Sequence, residues 1–162
     1  MKEKIKAQKE LLRIINSLKA EGKRIVFTNG CFDLLHVGHV RYLEKAKALG
    51  DVLVVGVNSD ASVRKLKGPK RPILPEKERT EILSGLGCVD YITLFNEMDP
   101  LKLITSLRPD VLAKGGDWAK EQIVGKEVVE RSGGRVVVIP FVKGASTSNL
   151  IQTILKRFQK KS

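Results

Sequence analysis

The stretch Ile25-Val26-Phe27-Thr28-Asn29-Gly30-Cys31-Phe32-Asp33-Leu34-Leu35-His36-Val37-Gly38-His39 decides how this chain of 162 residues is read. Its first four residues form a short apolar, β-branched run that stops at Asn29-Gly30, as a buried strand does. After a loop, residues 37–49 return apolar side chains at helical spacing through Val40, Leu43, Ala46 and Leu49, and Gly50 ends them. The next run, residues 52–57, is continuously apolar, as expected of a parallel strand covered on both faces. Strand, helix, strand is therefore the building unit.

The unit recurs down the chain. Helices are predicted over 76–86, with Pro75 at the start, and over 100–106, 120–132 and 148–158. Strands are predicted over 91–95, 111–113 and 136–141. Five strands alternating with helices imply right-handed crossovers and an α/β fold with a doubly wound, Rossmann-like, five-stranded parallel sheet. Ahead of it, Ile5, Leu11, Leu12, Ile14, Ile15 and Leu18 predict an added amphipathic helix over 5–18, ended by Gly22. That apolar face must pack on its own sheet or on a second subunit. Ligands of such sheets sit beyond the carboxyl ends of the strands, so the loops there are where chemistry is sought.

Composition excludes several classes. With 42% hydrophobic and 30% charged residues the chain is not globally disordered. No apolar run approaches the ~18 residues that cross a bilayer, and the start of the chain mixes Lys with Glu, so no membrane association and a cytoplasmic location are expected. Cys31 and Cys88 show no spacing for a disulfide framework or a four-ligand zinc site. The net charge of +12 invites a polyanion partner, but its distribution argues against nucleic acid. Residues 1–24 carry eight basic and three acidic side chains and residues 156–162 four basic and none acidic, which leaves 18 basic and 15 acidic between them. The middle of the protein is nearly balanced.

Both histidines of the chain, His36 and His39, fall where the first strand gives way to the first helix of the sheet. Spaced three apart at a helix N-terminus they point the same way, into a zone where unpaired backbone N–H groups and the helix dipole favour an anion. Gly38 between them removes a side chain where a phosphate chain would approach the backbone. Three other readings compete. A zinc site would need carboxylates as its remaining ligands; a nucleophilic Cys31 lacks any sign of an oxyanion arrangement; packing or capping is the default for a lone His but not for this paired element. The segment Arg64-Lys65-Leu66-Lys67-Gly68-Pro69-Lys70-Arg71 reads either as a solvated loop or as an anion clamp. Ser146, Thr147 and Ser148, ahead of the last helix, serve equally as an ordinary N-cap or as a second phosphate-binding helix N-terminus.

The element Gly30 to His39 resembles the signature of the HxGH nucleotidyltransferase superfamily, whose members move a nucleotidyl group from a nucleoside triphosphate to a phosphate and release pyrophosphate. The likeness continues through Asn58-Ser59-Asp60-Ala61-Ser62, Leu66-Lys67-Gly68, Arg71-Pro72, Glu78-Arg79, Lys114-Gly115-Gly116-Asp117-Trp118 and Ser146-Thr147-Ser148-Asn149. Over about residues 24–158 the chain is similar to the sugar-phosphate adenylyltransferases that form ADP-heptose from D-glycero-β-D-manno-heptose 1-phosphate. The resemblance implies a nucleotidyltransferase domain over 23–162 with the helix 1–22 added to it, ATP as substrate, Mg²⁺ accompanying it, and a homodimer. It implies catalytic roles for His36, His39, Lys65 and Lys67. Nucleotide contacts would come from Cys31, Phe32, Gly38, Arg79, Gly115, Asp117, Ser146, Thr147 and Ser148, and it names no protein ligand for the metal. The superfamily's usual basic residue after the last Ser-Thr is absent, with Lys143 as its candidate substitute. Glycerol-3-phosphate cytidylyltransferases and FAD synthetases share the chemistry, and a non-catalytic nucleic-acid binder is the alternative of another class.

Overall fold

The five apolar runs become five strands in the computed structural model, which describes residues 2–116, 119, 122–140 and 144–159. Among these residues they are β1 (Ile25–Gly30), β2 (Val52–Asn58), β3 (Tyr91–Phe95), β4 (Val111–Gly115) and β5 (Arg135–Ile139). All pair in parallel, in the order β3-β2-β1-β4-β5. The order reverses at β1, because the chain moves outward to β3 and then returns to place β4 on the other side. That switch opens a crevice beyond the carboxyl ends of β1 and β4.

Seven α-helices are described: α1 (Gln8–Ala20), α2 (Val37–Lys47), α3 (Asp60–Lys67), α4 (Glu76–Ser84), α5 (Leu101–Leu107), α6 (Lys126–Arg131) and α7 (Thr147–Phe158). Successive strand residues face opposite sides, so each face of the sheet takes its own helices. On one face Leu11 and Ile15 of α1 and Leu103, Ile104 and Leu107 of α5 pack on Phe27, Val54 and Leu112. On the other, Leu43 and Ala46 of α2 and Leu83 of α4 pack on Val26, Leu53, Val55 and Ala113. Each fully buried aliphatic side chain contributes roughly 1.5 to 3 kcal/mol.

Four expectations change. The first helix begins at Gln8 rather than Ile5; Ile5 instead bridges to Ile92, and the Lys6 N–H donates to the Ile92 carbonyl at 2.8 Å, so this segment lies along the outer edge of β3. The helix itself packs on its own sheet. Residues 64–67, expected as loop, form the last turn of α3, which is capped by Ser59, whose hydroxyl accepts from the Ser62 N–H at 3.3 Å. Its acidic start and basic end complement the helix dipole. The helix predicted over 120–132 is the shorter α6, entered through Gly125 at φ 88°, while Lys120 lies outside the described residues. Strands β1 and β4 run two residues further than expected, through Gly30 and Gly115, and β5 is Arg135–Ile139, with Phe141 outside the described residues.

Candidate active site

The crevice is a cleft of about 630 Å³ at the carboxyl ends of the strands, lined among others by His36, His39, Lys67, Lys114, Ser146 and Ser148. Its centre is the start of α2. His36 stands just ahead of the helix in extended conformation, and its ring stacks on that of His39 with centroids 3.9 Å apart at 27°. Phe32, itself buried, tilts against His39 at 5.5 Å. The helix is tied to the sheet by Tyr42, whose hydroxyl pairs with Thr28 Oγ1 at 2.6 Å and donates to the Ala113 carbonyl at 3.2 Å. Burial pushes the Tyr42 phenol up to about 12, so it stays a neutral anchor.

Gly38 lines the cleft and also makes room within the protein. A Cβ there would lie 2.9 Å from the His36 ring and 3.0 Å from the Ala145 Cβ, so its missing side chain admits the His36 ring and the approach to α7. Burial lowers the pKa of His36; burial, reinforced by the neighbouring His36, lowers His39 to about 4. Both rings are therefore neutral at pH 7. Among the described residues Nδ1 of each is buried without a hydrogen-bond partner, which costs free energy unless a ligand engages the pair.

Beside it starts α7. The Ser146 hydroxyl accepts from the Asn149 N–H at 3.1 Å, an ordinary N-cap, and the Thr147 hydroxyl donates to the Leu34 carbonyl at 3.3 Å. These bonds bring two helix N-termini together at one cleft and leave Ser148 exposed on its wall. None of the α7 residues is buried.

The basic segment is held over the cleft by Asp33. This buried carboxylate accepts from Arg71 Nε at 2.5 Å, from the Ile73 N–H at 2.8 Å and from the Leu74 N–H at 2.9 Å. Burial alone would raise its pKa; the Leu74 and Ile73 N–H groups and Arg71 reverse that and hold it below the usual carboxylate value. Lys67 lines the cleft while Lys65 is exposed outside its lining, so the structure brings one of the two expected lysines to the site. Arg79 is a correction. It is 1% exposed and donates to the Leu74, Cys31 and Asn58 carbonyls and to Asp60 Oδ1, so it braces the loops from beneath and does not reach the cleft. Cys31 and Gly115 line the cleft, with the Cys31 thiol pushed up chiefly by burial. Asp117, Trp118 and Lys143 lie outside the described residues. Sequence reasoning gave no separate role to Lys114, whose Nζ donates to Asn29 Oδ1 at 3.1 Å, nor to Asp33 as the clamp of the basic segment. A second hollow, of about 580 Å³, lies at the amino ends of β1, β4 and β5, lined by Lys19, Lys23, Arg24, Asp110 and Arg135, far from the histidines.

A parallel sheet that presents stacked histidines and two helix N-termini at its switch point defines a nucleotidyltransferase. The chain belongs to the cytidylyltransferase-like family, whose model matches residues 27–156. It is 60% identical over 155 residues to the bifunctional protein HldE of Geobacter metallireducens and 58% identical over 155 residues to that of Pelobacter propionicus, covering 96% of this chain and 32% of each relative. The chain thus spans about a third of the length of the curated relatives it matches. The solved lipopolysaccharide core biosynthesis protein of Thermoplasma volcanium superimposes with a TM-score of 0.63 at 32% identity, covering 76% of this chain and all of that one. The pantoate-β-alanine ligase of Francisella tularensis, at 20% identity and TM-score 0.62, over 94% of this chain and 78% of that one, shares the fold.

Proposed function

We propose that this chain transfers the adenylyl group of ATP to D-glycero-β-D-manno-heptose 1-phosphate, giving ADP-heptose and pyrophosphate, a precursor step of lipopolysaccharide core synthesis. The observation that carries this reading is the stacked His36–His39 pair at the start of α2, beside the start of α7, in one cleft. The heptose acceptor rests on the likeness of the motif series to ADP-heptose-forming enzymes, supported by the kinship with HldE proteins and with a lipopolysaccharide core biosynthesis protein.

In this reading a phosphate oxygen of the sugar phosphate attacks the α-phosphorus, the bond to the bridging oxygen breaks, and pyrophosphate leaves. The protein positions the reactants and stabilises charge, and forms no covalent intermediate. His36 and His39 donate to the triphosphate as charge moves toward the leaving group, which a preorganised donor stabilises by about 3 to 4 kcal/mol. Lys67 and Arg71 face the phosphates from the basic segment, Lys65 stands exposed outside the lining, and the N–H groups at the start of α7, with Ser148, complete the grip. Cys31, Phe32 and Gly115 line the path of the nucleotide, and the likeness of the motif series adds Asp117 as a further nucleotide contact. Mg²⁺ is the implied companion of the triphosphate. Among the described residues no three His, Cys, Asp or Glu side chains gather into a metal site, Asp33 is held by Arg71, and Asp99 Oδ1 accepts from the Leu101 N–H at 2.9 Å. Bound with the triphosphate, the ion would be held by phosphate oxygens and water and would neutralise phosphate charge. The reading further makes the protein a cytoplasmic homodimer that acts on small molecules and not on nucleic acid or membranes, and sedimentation reads its mass.

The deciding experiment is pyrophosphate release with Mg²⁺, pairing ATP or CTP with heptose 1-phosphate, glycerol 3-phosphate or FMN. Release with ATP and the heptose phosphate alone upholds the proposal. Release with another pair keeps the nucleotidyl transfer and replaces the acceptor.

A further inference from the structure

Lys114 and Asn29 are the penultimate residues of adjacent strands, and the cleft wall they form faces away from the histidines. Along β4, Leu112 belongs to the core on the α1 and α5 side, so Lys114, two residues on, points to that same side; along β1, Phe27 places Asn29 likewise. The helix α2, with its histidines, packs on the opposite face. Over the Lys114 side of the cleft stand Met98, Asp99 and Pro100 from the β3–α5 connection and Gln122 and Val124 from the β4–α6 connection. The amine of Lys114 is partly buried, its one described partner is the neutral Asn29 oxygen, and no carboxylate among the described residues pairs with it. Burial lowers its pKa, with the nearby Cys31 opposing. An ammonium taken partly out of water without an anion costs free energy, and it needs an anion that arrives from outside.

In-line displacement says which anion. The attacking oxygen and the departing pyrophosphate lie on opposite sides of the α-phosphorus. With pyrophosphate held at the starts of α2 and α7, the attacking phosphate approaches from the other wall. We propose that Lys114, oriented by Asn29, is the group that grips the acceptor's phosphate monoester and aims its oxygen at the α-phosphorus, with Met98, Asp99, Pro100, Gln122 and Val124 forming the subsite for the rest of the acceptor. This inference rests on the adenylyl-transfer reading and adds the acceptor's side of it.

The test compares wild type with Lys114→Met and Lys114→Arg. In Lys114→Met the KM for heptose 1-phosphate rises by about tenfold or more, as loss of a charge-assisted contact to phosphate requires, while affinity for a non-hydrolysable ATP analogue is unchanged. Lys114→Arg recovers part of the acceptor KM. The melting temperature of Lys114→Met does not fall, because the substitution removes a partly buried charge. An equal loss of affinity for both substrates, an unchanged acceptor KM, or a drop in melting temperature with no substrate selectivity overturns the proposal. If wild type turns over no sugar phosphate, the adenylyl-transfer reading has failed, and inorganic phosphate titrated into the complex with the ATP analogue still decides the matter. Weaker phosphate binding in Lys114→Met upholds the anion grip, and unaltered binding overturns it.

Discussion

At the scale of single residues, the histidine pair dominates. Replacing His36 or His39 with Ala is expected to lower kcat by about 10²- to 10³-fold with the circular dichroism spectrum unchanged, since a charge-stabilising donor is lost while the sheet and the helices packed on it stay in place. Retained turnover would remove both residues from the mechanism. Acid reads the same pair in another way. The unfolded imidazole of His39 takes up a proton near its ordinary 6.5, whereas the folded one waits until about 4. The unfolded state therefore binds more protons across that window, so stability is intact above about pH 6.5 and declines as the pH falls toward 4. Allowing for screening at the cleft mouth, the loss is about 2 kcal/mol. Urea midpoints at pH 7 and pH 4.5 measure it, and the slope flattens in His39→Ala. The pair, the two serines and Thr147 were legible in sequence because spacing alone puts them at helix starts. What each atom does there was not: spacing left the Ser146 hydroxyl open between a helix cap and a phosphate contact, and the close approach of Ala145 to Gly38 joins residues far apart in sequence.

At the scale of elements, α3 shows how a charge run misleads. Five basic residues within positions 64–71 read as a loop because no apolar period supports a helix there, yet Ser59 and Asp60 at one end and Arg64, Lys65 and Lys67 at the other favour one through its cap and dipole. The connection from α3 to α4 is then fixed from two sides, by Asp33 and by Arg79. Arg79→Met leaves the Asp60 carboxylate and three carbonyls without their partner, and a loss of about 3 to 5 kcal/mol in chemical unfolding is expected, as for other broken buried pairs. Asp33→Asn gives up the charge opposite Arg71 but keeps the shape; its mark should be a raised KM for ATP with a smaller cost in stability. Equal effects of the two variants on KM and stability would deny the division of labour. Helix α7 is the reverse case. With no buried residue, its amide hydrogens should exchange before those of α2, and bound ATP should slow them selectively.

At the scale of the molecule, the alternation of apolar strands and helices carried the parallel sheet, its five strands and the end at which to look for the site, since each follows from local pattern and chain connectivity. The strand order and the division of the cleft into two walls needed the tertiary structure. Whether the first helix served its own sheet or a partner could not be read from amphipathicity, and the fold answers it: Leu11 and Ile15 are fully buried beside β1, β2 and α5. Leu11→Ala should therefore cost about 2 to 5 kcal/mol although the residue is remote from the cleft, and thermal melting with unchanged KM values would show it. The segment ahead of α1 carries a different consequence. By lying along β3 through Ile5 and Lys6, it occupies the row of backbone groups that a flank of sheet leaves open. Shorn of these few residues, Tyr91–Phe95 would offer a ready template to other molecules. The first symptom would then be neither slow turnover nor a low melting point, but turbid stocks and fibrils on storage.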